Sequence, residues 1–374
     1  MTNSEIIALT MPKWGMSMVT GKVTGWLVDE GESVVSGDEV VEVETDKIAG
    51  VVEAADAGTL RRQVAGIGDS LAIGALLGVI APEAVTDAEI DAFIAAFQDS
   101  YTPPEADEAE AGPTTAFAEV DGLRLAYLDR GEGDDPIVLI HGFGGDLNSW
   151  LFNQPVLASE RRVIALDLPG HGQSEKRVPE GGVPALANTV LGLLDELGLA
   201  RAHFVGHSLG GVVAAMCALK RPGGAASLTL VASGGLGEEI DADYISAFIA
   251  ANRRKEIKPL LARLFADGSL VGREMINEVL KYKRLEGVEE ALRTIEGATF
   301  AGGKQSGTLI APLKGLDVPI QVIWGAQDRI IPVAHANALG DKTPVHVIEG
   351  AGHMVHMEAA AEVNRLIGNF VAAH

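Results

Sequence analysis

The chain has 374 residues, 47% hydrophobic and 22% charged, with a formal net charge of −23, so it is long enough for two or three domains with cores of their own. Such an acidic chain is a poor partner for nucleic acid or an anionic membrane, and no window of eighteen apolar residues offers a membrane span. Its one cysteine, Cys217, excludes an internal disulfide and a cysteine metal cluster; no metal site is expected, and the opening MTNSEIIALTMPKWG lacks a signal peptide's basic start and apolar core, so a cytoplasmic location is expected.

The charge is uneven. Residues 1–115 carry 5 Lys+Arg against 21 Asp+Glu, a net of −16, which leaves −7 for the rest. Residues 5–81 read as short β-strands separated by the turn signals DEGES, VSGDE, AADAG and AGIGDS. A shift of 37 residues lays GESVVSGDEVVEV (31–43) on GDSLAIGALLGVI (68–80), pairing Gly31 with Gly68, Ser33 with Ser70 and Gly37 with Gly74. Two half-domains of one strand pattern imply a small, pseudo-symmetric sandwich of two sheets. Lys47 falls at the joint between the halves and is expected on an exposed hairpin tip.

Residues 86–99, TDAEIDAFIAAFQD, open on a Thr86/Glu89 capping box and place Ile90, Phe93, Ile94 and Phe97 at helical spacing. This helix either packs on its own chain or docks a partner. YTPPEADEAEAGPTT (101–115) then has the composition of a solvated linker. The boundaries read as a first domain over 1–83, a helix and acidic linker over 84–115, and a second domain over 116–374.

The second domain opens with a hairpin turning at Asp121-Gly122, followed by the apolar runs PIVLIHG, RRVIALD, AHFVGHS, SLTLVAS, PIQVIWG and PVHVIEG, with helical patterns such as 184–198 and 209–220 between them. Alternating strands and helices imply a mostly parallel sheet with helices on both faces. A largely helical insertion, about residues 236–305, is expected to cap the sheet's carboxyl edge. Its runs NRRKEIK (252–258) and KYKR (281–284) read as solvated helix faces, with coenzyme A phosphates or the acidic first domain as alternative partners.

Three segments at strand ends carry chemistry. GHSLGG (206–211) holds Gly-x-Ser-x-Gly with Ser208 at a strand-to-helix turn, WGAQDRIIP (324–332) offers Asp328, and GAGHMVHME (350–358) offers His353. Serine is a poor nucleophile unless a base removes its proton; His353 suits that task, and Asp328 would fix the imidazole tautomer. The backbone N–H groups of Leu209 and of Phe143, in HGFGG (141–145), are the expected oxyanion donors. His141, His171, His207 and His356 read as loop supports, and Cys217 as a small buried hydrophobe. Through HGFGG, DLPGHGQS, GHSLGG, WGAQDRIIP and GAGHMVHME, residues 116–374 resemble the α/β-hydrolase superfamily. Some members place the acid one strand earlier, but VASGGLG has no carboxylate there, which favours Asp328. The resemblance says little about substrate.

Residues 11–47, MPKWGMSMVTGKVTGWLVDEGESVVSGDEVVEVETDK, resemble the lipoyl domain of 2-oxo acid dehydrogenase complexes. The resemblance implies that Lys47 bears lipoate in amide linkage; biotin carriers place methionines beside their lysine, where this chain has Asp46 and Ile48. The usual continuation of such acyltransferases, with its H-x-x-x-D-G motif, does not occur. A lipoyl domain followed by an α/β-hydrolase domain is instead similar to the dihydrolipoyllysine-residue acetyltransferase component of the bacterial acetoin-cleaving (acetoin dehydrogenase) system. That similarity implies coenzyme A as acceptor, and as partners thiamine-diphosphate-dependent acetoin dehydrogenase subunits, a dihydrolipoamide dehydrogenase and a lipoate-attaching enzyme.

Three functions stay open at this level. Ser208 relays acetyl from the Lys47 arm to coenzyme A; or Ser208 hydrolyses esters or thioesters with the lipoyl domain acting separately; or the hydrolase-like domain is a scaffold and Lys47 alone acts.

Overall fold

The computed structural model describes residues 6–12, 20–44, 49–102, 114–180 and 182–374, in two compact units, Met1–Thr114 and Thr115–His374. In the first, β1 (Ile7–Thr10), β2 (Thr20–Trp26), β3 (Ser33–Val34), β4 (Glu39–Glu44), β5 (Ala49–Glu53), β6 (Gly58–Gln63), β7 (Ser70–Ala72) and β8 (Leu76–Ala81) make two four-stranded sheets. Their orders are β1-β8-β6-β3 and β5-β4-β2-β7. The 37-residue shift carries β2 to β6, β3 to β7 and β4 to β8, so three strands of each sheet map onto three of the other.

Backbone hydrogen bonds repeat with the shift. Gly31 N donates to Leu60 O at 2.7 Å and Gly68 N to Val23 O at 2.8 Å, and both glycines have left-handed backbone, with φ of 93° and 99°, a conformation that disfavours a side chain. Between the sheets lie Val23, Val40, Val41, Val43, Leu60, Leu77 and Ile80, while Glu42 and Glu44 of β4 point to solvent, the period-two alternation of a half-buried strand. β4 and β5 pair antiparallel from Glu39↔Glu53 to Glu44↔Ala49. The connection that carries Lys47, with Asp46 and Ile48, lies outside the described residues.

Helix α1 (Asp87–Ser100) begins at the Thr86/Glu89 capping box. Its Ile90, Phe93, Ile94 and Phe97 cover Ile6, Leu76, Val79, Ala81 and Val85, so the helix spends its apolar face on its own module. Residues 103–113 of the acidic linker lie outside the described residues.

The second unit is built on an eight-stranded sheet of β9 (Ala116–Val120), β10 (Leu123–Arg130), β11 (Ile137–Ile140), β12 (Val163–Leu166), β13 (Ala202–His207), β14 (Ala225–Val231), β15 (Ile320–Gly325) and β16 (Val345–Ile348). Its order is β16-β15-β14-β13-β11-β12-β10-β9. The β9–β10 hairpin turns through Asp121 and Gly122, both at positive φ. β9 and β10 run antiparallel, and every pairing from β12 to β16 is parallel. Parallel strands buried on both faces need continuous apolar runs, and β11 to β14 are buried throughout.

The helices of this unit are α2 (Gln154–Leu157), α3 (Val183–Glu196), α4 (Leu209–Lys220), α5 (Ala242–Ala250), α6 (Arg254–Leu264), α7 (Arg273–Lys283), α8 (Val288–Thr299), α9 (Ile310–Lys314), α10 (Val355–Glu358) and α11 (Ala360–Ala372). α3 and α4 supply Leu186, Val190, Val213 and Cys217 to one core layer. α11 supplies Val363, Ile367 and Val371 to the other, beside Trp150. Helices α5 to α8 form the insertion between β14 and β15. Its two connections are fastened together by Gln305 N to Glu238 O at 3.0 Å and Leu309 N to Gly235 O at 2.8 Å.

One expectation is corrected here. Arg253, Arg254, Lys255 and Lys258 are exposed, but Lys283 of the second basic run is buried, at 9% exposure. It lies on the face of α7 that carries Ile276 and Leu280, and its ammonium donates to Phe248 O at 2.7 Å and Ile249 O at 3.0 Å. Those carbonyls end α5, where a helix leaves acceptors open and favours a cation. Among the described residues, no helix is long and apolar enough to cross a membrane.

Candidate active site

β13 passes into α4 through Ser208, whose φ of 54° is strained for a residue with a side chain. The turn closes only because its flanking positions are glycines. A Cβ on Gly206 would lie 2.1 Å from Gly210 O, and one on Gly210 2.2 Å from Ile140 O. Ser208 N donates to Val231 O at 3.0 Å, so neighbouring strand β14 holds the turn.

Asp328, three residues beyond β15, has its side chain fully buried, and that of His353 is 3% exposed. The two join through His353 Nδ1 and Asp328 Oδ2 at 2.8 Å. The other oxygen, Oδ1, accepts from the backbone N–H groups of Ile330 at 2.8 Å and Ile331 at 3.0 Å. With every contact of the carboxylate a donor, Nδ1 must carry its proton towards Asp328, and Nε2 is the basic nitrogen.

His353 is tied to the serine turn through the residue before Ser208: His207 Nε2 donates to His353 O at 2.9 Å, and the two rings lie 4.7 Å apart. Burial pushes the His207 imidazole well below its ordinary value, with the neighbouring His356 and His353 adding to the effect, so it acts as a neutral donor. Sequence reasoning missed Glu358, whose carboxylate accepts from Gly352 N and Ala266 N, both at 2.7 Å, and so braces the His353 loop against the end of α6. No spacing or motif marks that glutamate; only the fold brings residue 266 to it.

Leu209 is the first residue of α4, so its N–H has no acceptor within the helix. Phe143 lies in the 142–145 turn, closed by Gly145 N to Gly142 O at 3.1 Å. A Cβ on Gly142 would come within 3.1 Å of Ser208 Cβ, which places this turn against the serine. Two of the histidines hold its backbone. His141 Nδ1 donates to Gly142 O at 2.7 Å while its Nε2 accepts from Leu168 N at 3.0 Å. His171 Nδ1 donates to Pro169 O at 3.1 Å and its Nε2 accepts from Gly144 N at 3.1 Å. Burial lowers both imidazoles, which keeps the accepting nitrogens unprotonated. His356 instead fills space between the rings of Trp150, at 4.5 Å, and His207, at 4.4 Å. Cys217 is fully buried, and burial pushes its thiol up out of reactive range.

The arrangement offers a strained, glycine-flanked serine turn, tied through His207 to the histidine–carboxylate pair and packed against a second backbone turn, at the carboxyl ends of parallel strands. That suits nucleophilic acyl transfer. Lys47, the other expected site, lies outside the described residues.

Comparisons with known proteins divide the chain in the same way. Residues 7–80 match the family described as biotin-requiring enzyme, and residues 135–360 the alpha/beta hydrolase fold. A Pseudomonas putida protein described as the dihydrolipoyllysine-residue acetyltransferase component of acetoin cleaving system is 49% identical over 99% of this chain and 100% of its own length. A Cupriavidus necator protein of the same description is 47% identical over 97% of this chain and 96% of its own. Among solved structures, a meta-cleavage product hydrolase superposes with a TM-score of 0.63 at 24% identity, covering 70% of this chain and 98% of that one. At that identity the likeness shows the fold alone.

Proposed function

The chain belongs to the acetyltransferase components of acetoin cleaving systems, and from that premise we propose that Ser208 relays an acetyl group from a lipoyl arm on Lys47 to coenzyme A. Residues 1–83, with α1 packed on them, are the carrier, 101–115 the tether and 116–374 the transferase. The single observation that carries the relay is the 2.8 Å bond between His353 and Asp328 beside the strained serine turn.

The surroundings of Lys47 fit a covalently carried group. The β4–β5 ladder extends to Glu44 and Ala49, so the residues on either side of the connection are anchored in a sheet. When attached there, lipoate supplies a thiol that bears acetyl as a thioester on a long arm, and tethering raises its local concentration. The chain's own groups do the transfer. As Ser208 Oγ attacks the carbonyl carbon of an acetyl thioester, its proton passes to His353 Nε2, and Asp328 stabilises the resulting imidazolium. The N–H groups of Phe143 and Leu209 stabilise the oxyanion. Collapse breaks the carbon–sulfur bond, the departing thiol recovers the proton from His353, and acetyl remains on Ser208. The coenzyme A thiol then gives its proton to His353 and attacks the acetyl-serine; the proton returns to Ser208 as acetyl-coenzyme A leaves. No oxidant or reductant is consumed in the transfer.

The partners follow from the carrier role: thiamine-diphosphate-dependent acetoin dehydrogenase subunits to load the arm, a dihydrolipoamide dehydrogenase to reoxidise it, and a lipoate-attaching enzyme. The test compares Ser208→Ala and Lys47→Arg in acetyl transfer from acetyl-dihydrolipoamide to coenzyme A, in ester hydrolysis, and in complex turnover with acetoin. The relay requires Ser208→Ala to abolish transfer and Lys47→Arg to abolish turnover with acetoin while sparing transfer from the free donor. Transfer that survives Ser208→Ala defeats the serine step. Intact mass shows the carrier directly, as an added lipoyl group that Lys47→Arg lacks.

A further inference from the structure

The last two residues of α7 reach the 142–145 turn by separate routes. Tyr282 donates its hydroxyl to Gly170 O at 2.9 Å, and its ring stacks on His171 at 6.4 Å and 11°. His171 Nε2 in turn holds Gly144 N. Lys283 binds the carbonyls of Phe248 and Ile249, and its ammonium lies 4.9 Å from the centre of the Phe248 ring. That ring abuts the turn: a Cβ on Gly144 would sit 2.5 Å from Phe248 Cε1, and Phe248 meets Phe143 edge-on at 6.3 Å.

Phe143 is therefore pinned on both sides in sequence. The Gly142 carbonyl is taken by His141 and by Gly145 N, and the Gly144 N–H by His171. The Phe143 N–H shares one planar peptide with the Gly142 carbonyl, and the next peptide is held by His171, so α7 acts on that N–H through Gly144: a shift of His171 or Phe248 moves the 142–145 turn and carries the Phe143 peptide with it. An oxyanion donor works only where its hydrogen is aimed in advance.

We propose that Tyr282 and Lys283 are positioning residues for acyl transfer, which aim the Phe143 N–H by bracing the 142–145 turn through His171 and through Phe248. This rests on the reading of Ser208 as nucleophile, and it makes the seating of one helix of the insertion a condition for stabilising the transition state.

The test uses the full chain with Tyr282→Phe, Lys283→Met, Lys283→Arg and Ser208→Ala. Acylation is followed as the burst of nitrophenolate from 4-nitrophenyl acetate, and adduct affinity with phenylboronic acid, which forms a tetrahedral serine adduct. Tyr282→Phe and Lys283→Met are each expected to lower the acylation rate constant by ~10-fold to ~100-fold, the scale of a small misplacement of a reacting group. KM should stay within about twofold, the boronic acid should weaken by the same factor as the rate, and Lys283→Arg should recover most of the loss. An unchanged rate, a loss confined to KM, or a rate loss that boronic acid binding does not follow overturns the proposal. A burst that persists in Ser208→Ala instead removes its premise, which keeps the two failures distinct. Tyr282→Phe deletes only one hydroxyl, so if Lys283→Met does not fold, that variant decides alone.

Discussion

Asp328 spends both carboxylate oxygens on donors, one on the His353 imidazole and one on two backbone N–H groups. Asparagine has nearly the same shape but must turn an NH2 towards one of those donors. If it faces His353, the imidazole is driven to the opposite tautomer and Nε2 carries a proton where a lone pair is needed. Asp328→Asn is therefore expected to lower kcat for acetyl transfer by ~10³-fold to ~10⁴-fold with KM little changed; a loss under about tenfold would mean that the pair does not serve Ser208. Ser208, Asp328 and His353 are legible in the sequence because each follows an apolar run and sits among glycines with little steric choice. Glu358 and Lys283 are not, because each is explained by its partner: residues 352 and 266, and residues 248 and 249. A lysine in a KYKR run looks solvated until the end of another helix is laid against it.

At the scale of elements, α1 shows what a short amphipathic helix contributes. Ile90 is fully buried between the helix and β8, and Ile90→Ala should destabilise the first module by ~2–5 kcal/mol through lost burial and the cavity left behind. Thr86→Ala removes the cap that holds Glu89 N and should cost ~1 kcal/mol. Urea unfolding of the first module, read by circular dichroism, checks the order of the two effects; the idea that α1 is a structural part of the module fails if Ile90→Ala costs no more than Thr86→Ala. The strands of both modules and the capping box follow from period and local chemistry. The arrangement of α5 to α8 does not, since periodicity shows that a helix has an apolar face without saying which neighbour will cover it.

At the scale of the whole molecule, titration is divided between the modules. All nine histidines lie at or beyond residue 141. Burial lowers His141, His171 and His207, takes His356 down to about 3, and with the charges of Arg161 and Arg201 takes His203 down to about 4. Below the ordinary value near 6.5 the unfolded chain takes up protons that the fold refuses, so each of these groups removes stability as pH falls towards its folded value, at up to about 1.4 kcal/mol per pH unit. Two carboxylates oppose them. Asp167 is raised by burial; Asp146, half-buried by area but desolvated by its neighbours and beside the Asp167 charge, is pushed up to about 6. Both bind protons in the fold above the ordinary carboxylate range. Five groups outweigh two, so calorimetry from about pH 7.5 to about pH 5 should show the second module's transition moving down while that of the histidine-free first module moves much less; transitions that shift equally would contradict this.

The exchanged bonds of the first module bear on the order of synthesis. Gly31 reaches forward to Leu60 and Gly68 back to Val23, and β7 from the second half closes the sheet that contains β4 and β5. A ribosome releases Lys47 before β7 (Ser70–Ala72), which completes this sheet, so under the proposed carrier role an attaching enzyme that recognises the finished module must wait until residue 72 has emerged. The duplicated strand pattern thereby leaves both sheets incomplete until the second half of the module has been made.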